Sequence, residues 1–134
     1  MAAGTTPIFV DSPLSPTGRL TTANTARDGS TGTYVALVVA GADGAKYSGF
    51  RWISEEDATA NNAVRLFLYN GAGNDELLYE GIVPSTTYSS GVTPVPSGGY
   101  YPDEGIVLGP SDELTSSVHA TDTFGIHMVG GGDF

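Results

Sequence analysis

The sequence has no cysteine, only five basic side chains and no long apolar run, and each shortage removes a class of function. Without cysteine there is no disulfide framework and no thiolate chemistry, so stability has to come from packing or from neighbours. Five Lys and Arg stand against fifteen Asp and Glu, a formal net charge of −10. The summed field repels phosphate, and no basic stripe is present to displace counterions, so nucleic acid is not an expected partner. No stretch approaches the roughly 18–20 apolar residues that cross a bilayer, and MAAGTTPIFVDSP lacks the basic and apolar regions of a secretion signal, so no membrane partner is expected either.

What the sequence does have is turn chemistry and short β-branched runs. Nineteen glycines and eight prolines, with abundant Thr and Ser, disfavour long helices. Its 134 residues suit one domain. Residues 1–30 are interrupted by Pro7, Pro13 and Pro16 and read as an extended N-terminal arm, either disordered or laid against a partner or the chain's own sheet edge. Residues 31–134 read as an antiparallel β-sandwich or jelly-roll-like domain. Tyr34–Val39 predicts a strand buried on both faces, and Tyr47–Ile53 a second strand in which Gly49 marks a bulge or a close approach. Ala63–Val83 is the clearest unit: period-two alternation on both sides of Asn70–Asp75 is the pattern of a β-hairpin. Residues 84–104 read as a long connection with one irregular strand, or as a protruding contact loop. Short strands then follow from Gly105, from Glu113 and from Thr123, for seven or eight in all.

Candidate chemistry is sparse. His119 and His127 flank one predicted turn, and no serine sits in a Gly-x-Ser-x-Gly elbow, so acyl transfer has no support. Glu55-Glu56 and Asp103-Glu104 are adjacent acids, which point apart on a strand or ride a loop as solvated charge. Zinc lacks a compact third ligand. Asn70–Glu76 offers oxygens that suit Ca²⁺ but not the acid spacing of an EF-hand loop, and positive-φ turn chemistry is the simpler account. Gly130–Gly132 precede no helix and form no phosphate loop; they read as a flexible or tightly packed chain end. Trp52, in an apolar strand, reads as core rather than as a sugar-stacking platform. The expectation is a non-enzyme with no cofactor and no metal.

Several stretches resemble a set of small structural proteins of tailed bacteriophages and prophages. They are Arg27–Thr33, Ala40–Gly44, Val64–Gly71 and Ile106–Phe134, the last with Ser117, His119, Thr123-Phe124 and Gly131–Phe134. The resemblance runs from about residue 24 to the end, and departs from the pattern at Gly109–Asp112, at Val118 and in the Tyr-rich residues 84–104. It implies a virion protein on the capsid exterior: a decoration or cement protein that binds the major capsid protein, bridges capsomers and self-associates as a dimer or trimer. The alternative is a tail-fibre, receptor-binding or carbohydrate-binding module. Residues expected to make the contacts are Ile8, Phe9, Val10, Leu14 and Leu20 in the arm, Tyr88, Tyr100 and Tyr101 in the long connection, and Phe134.

Overall fold

A computed structural model describes residues 10–55, 61–70, 75–85 and 96–134. The described residues form ten strands and no helix. These are β1 (Ser12–Leu14), β2 (Thr17–Leu20), β3 (Val35–Val39), β4 (Ala45–Ser54), β5 (Asn62–Tyr69), β6 (Asp75–Val83), β7 (Ser97–Tyr100), β8 (Ile106–Leu108), β9 (Glu113–Val118) and β10 (Phe124–Asp133).

All strand pairings are antiparallel, and they make two sheets that enclose one core, a β-sandwich. In the first sheet, β10 and β4 pair along their whole lengths. The other edge of β10 is shared by β2 and β1, and the other edge of β4 by β7 and β8. The second sheet has the order β3-β9-β5-β6. The hairpin read from period-two alternation is β5–β6, with a register shift between Leu66 and Phe67.

Inward-facing residues of both sheets meet in the core. Tyr47, Phe50, Trp52, Phe124 and Ile126 come from the first sheet, and Leu66, Val64, Leu114 and Val118 from the second. Each contributes roughly 1.5–3 kcal/mol on leaving water. Trp52 lies edge-on to Phe124 with ring centroids 5.8 Å apart. Its indole N–H donates to the Tyr79 hydroxyl at 3.2 Å, so the one tryptophan ties β4 to β6 across the sandwich. Tyr79 in turn stacks on Tyr100 of β7 at 5.5 Å. Trp52 is thus a core residue with its polar atom satisfied.

One expectation is overturned and two open readings are decided. β3 is not buried on both faces: it is an edge strand, so Ala36 is exposed and Val39 is 60% exposed. Residues 12–20 lie hydrogen-bonded along β10, and Leu20 drops into the core at 2% exposure. The glycine run Gly130–Gly132 belongs to β10 rather than to a loose end. A Cβ on Gly131 would sit 1.9 Å from the Lys46 carbonyl oxygen and one on Gly132 1.9 Å from that of Ser12, so only glycine lets β10 pass between its neighbours.

Candidate functional site

On the second sheet, alternation sends Val64 and Leu66 inward and therefore Arg65 and Phe67 outward, yet both outward side chains are fully buried. The segment 24–34 crosses over them. The Asn24 N–H donates to Val118 O at 2.8 Å, and the Asn24 side chain bridges Ala26 and Thr33, pinning the start of the crossing. Tyr34 packs edge-on against Phe67 at 5.2 Å. Gly29, at φ +78°, lies so close that a Cβ there would be 2.4 Å from the Asp75 Cβ.

Each of the three nitrogens of the buried Arg65 guanidinium has a partner. Its Nε donates to Glu80 Oε2, its Nη1 to Asn24 O at 3.0 Å, and its Nη2 lies 2.9 Å from His119 Nδ1. Because arginine only donates, His119 Nδ1 must be the acceptor, which assigns this histidine the neutral tautomer with its proton on Nε2. Arg27 donates its Nε to the same Glu80 oxygen at 2.8 Å. Hydrogen bonds from Arg27 and Arg65 hold the Glu80 carboxyl down at about 2. Asp28 is likewise lowered to about 2, by the Thr31 hydroxyl and then by the N–H groups of Thr31 and Ser30. Arg27, Arg65, Glu80 and His119 thus form one linked network, with Arg65 buried at its centre and Arg27 on the solvent side.

The outer face of the first sheet is the opposite case. Register places Thr17, His127, Arg51 and Gly99 in one row and Arg19, Gly125, Ile53 and Ser97 in the next. Arg19 pairs with Glu55 at 3.0 Å, while Arg51 and Lys46 make no ion pair among the described residues. Tyr101, 55% exposed, lies flat over glycine: a Cβ on Gly49 would meet its ring at 2.2 Å and one on Gly99 at 2.6 Å. Gly49 is therefore a close-approach position. Beside it, Lys46, Ser48, Pro102, Asp103, Glu104 and Gly105 line a shallow cleft of about 170 Å³. Its two carboxylates are exposed, as adjacent loop acids should be.

The residues expected to make contacts do not share one environment. Ile8, Phe9 and Tyr88 lie outside the described residues, as do 71–74 of the loop weighed for Ca²⁺. Leu20 cannot be a contact residue, because its side chain fills the core. Tyr100 is half-buried and committed to Tyr79. Leu14 is 44% exposed on the edge strand β1, and Val10 and Phe134 are half-buried near it, where Asp11 N–H donates to Asp133 O at 2.9 Å. Tyr101 alone stands on the open sheet face. Sequence reasoning missed Arg65, Glu80 and Arg27. The signal was an Arg and a Glu at facing positions of one hairpin, with Arg27 far away in sequence.

Stretches singled out in the sequence meet in the fold. Arg27–Thr33, Val64–Asn70 and His119 converge at Arg65 and Phe67. Ala40–Gly44 meets the chain's last residues, where Gly41 N–H donates to Asp133 Oδ1 at 3.2 Å and Phe134 N–H to Gly44 O at 3.1 Å. No protein-family model matches the chain, and no curated protein matches it. Among the described residues, no three His, Asp or Glu side chains are grouped to hold a metal ion.

Proposed function

We propose that the chain is a non-enzymatic virion structural protein that decorates the outer capsid surface of a tailed phage and strengthens the head by bridging capsomers. The observation that carries this reading is the pairwise meeting of the resembling stretches. Residues far apart in sequence, grouped by their likeness to phage structural proteins, act together as fasteners of one sandwich. A decoration protein needs such a rigid body with a presentable outside, and many identical contacts on a lattice then sum by avidity.

The test is quantitative mass spectrometry of purified source particles. The reading expects recovery in numbers comparable to the major capsid protein, with removal by conditions that leave the shell intact. Absence from particles would end it. A copy number matching tail components would move the protein to the tail, where receptor or glycan binding is the second reading. The one observation favouring that alternative is Tyr101, an exposed ring on a glycine floor, since flat aromatic surface suits sugar faces. Tyr101→Ala should then abolish glycan retention, whereas a capsid role predicts no retention to lose.

A further inference from the structure

Two sheets have four edges, and three of these are broken up. β1 and β2 share one edge in pieces of three and four residues separated by Pro16, and β7 and β8 share another in pieces of four and three. β3 has five residues with a register shift after Ala36. Short strands, prolines and bulges keep an edge from pairing with another chain. β6 is the exception. Its nine residues form one end of the second sheet, and although a register shift leaves Leu78 without an opposite residue, Tyr79–Val83 runs unbroken opposite Asn62–Leu66. This stretch contains no proline and no lysine, and among the described residues its far side pairs with no strand. An edge strand turns the N–H and C=O of alternate residues away from its one neighbour, so these groups face outward unpaired. Glu80 and Ile82 are its outward side chains, since they lie opposite the outward Arg65 and Ala63. Ile82 is 77% exposed, the most of any large apolar side chain among the described residues.

We propose that Tyr79–Val83 pairs with the same stretch of a second copy of this chain, antiparallel about a twofold axis at Gly81, so that the second sheets of the two copies become one. The occupant follows from self-complementarity in that one register. Turned about Gly81, Tyr79 falls opposite Val83 and Glu80 opposite Ile82, so inner side chains meet inner ones and outer meet outer. An axis on Glu80 would set two carboxylates opposite each other. One on Ile82 would draw in Pro84, which has no N–H to give, and one on Tyr79 would run into the break at Leu78. A half-step between residues would set inner side chains against outer ones. The two Glu80 carboxylates nearest the axis arrive already neutralised, each held by its own Arg27 and Arg65. The net charge of −10 on each copy is spread over the rest of the surface, and at physiological ionic strength it is screened beyond about 8 Å. Because both halves are the same patch, the contact closes at two copies. It rests on the edge alone, and stands whichever of the roles above the protein has.

An interface of five paired residues a side is small, so sedimentation equilibrium of the full-length protein should run up to about 1 mM. A monomer–dimer equilibrium with no larger species is expected. Amide hydrogen exchange on the same samples locates the contact. The amides of Tyr79–Val83 that do not bond to β5 should exchange freely in dilute protein and become protected as the dimer forms, while those of the opposite edge, Val35–Val39, stay unchanged. Two substitutions at one exposed site then test the register. Ile82→Glu sets a carboxylate opposite Glu80 of the second copy and should weaken association by about tenfold or more. Ile82→Arg is as polar but sets a guanidinium there, and should weaken it far less. A monomeric wild type, species larger than a dimer, or protection that grows elsewhere but not on β6 would each refute the proposal. So would β6 protection that is independent of concentration, because the chain would then cover its own edge, and so would equal losses from the two substitutions. The exchange measurement uses unsubstituted protein, so it decides the matter even if a variant misfolds.

Discussion

Arg65 and Arg51 occupy equivalent places, each pointing outward from the middle of an inner strand of its sheet, and they end in opposite states. Arg65 is sealed beneath residues 24–34, with each of its three nitrogens directed at a partner, while Arg51 stands exposed on a glycine floor. The difference lies in what crosses over each sheet. Over the second, a segment with Asn24, Gly29 and Tyr34 supplies carbonyls, a left-handed turn and an aromatic lid. Over the first, among the described residues, the Tyr101 ring lies above Gly49 and Gly99. A charge that is covered must be fully paired, and its removal is costly; a charge left open is free to meet something else.

This contrast can be broken from its strong side first. Arg65→Ala should destabilise the fold by about 3 kcal/mol, because it leaves Glu80, His119 Nδ1 and the Asn24 carbonyl without a buried donor; urea unfolding monitored by Trp52 fluorescence measures it. Gly29→Ala should cost about 2 kcal/mol, from the positive φ and from collision with Asp75, and should raise protease cleavage within residues 24–34. The Glu80 carboxyl, held at about 2 against an ordinary 4.5, gives a pH signature. A depressed folded value contributes stability that is complete above the ordinary value and is lost as pH falls from about 4.5 towards about 2. Glu80→Gln should cost about 1.5 kcal/mol at neutral pH and flatten this acid limb of the urea midpoint against pH. The open side supplies the smallest effect: Arg51→Gln should change stability by less than about 0.5 kcal/mol, within the scatter of a thermal melt. A large loss there would mean that Arg51 is as structurally committed as Arg65.

Local pattern made part of the fold legible. The β5–β6 hairpin follows from Val64, Leu66 and Leu68 alternating with Arg65, Phe67 and Tyr69, and Trp52 could be placed in the core from its apolar strand. Where reading failed, the deciding contact came from far along the chain. Leu20 looks like an isolated apolar residue in a Pro-broken arm until β10 pairs with it. Arg65 sits at a position that alternation assigns to solvent, and only the crossing of residues 24–34 buries it. Gly130–Gly132 read equally as a flexible or a tightly packed end, and what decides for the second is the left-handed φ of Gly130 with the carbonyls of Lys46 and Ser12 against Gly131 and Gly132, which composition does not record. Of the expected contact residues, Tyr101 was legible as an exposed aromatic. The cations beside it were not, because Lys46 and Arg51 become neighbours of Val107 and Gly99 only through sheet register.

The antiparallel pairing of Ser12 with Asp133 puts residues 10 and 134 at the same end of the same ladder. Tension applied to the chain there would not shear the sheet as a whole. It would open the β1–β10 rungs one after another, as a zipper opens from its tab, until the longer pairing of β10 with β4 took the load. Anything tethered at that corner would therefore pull on a seam only three rungs long, whereas a load spread over a sheet face would be carried by many rungs together.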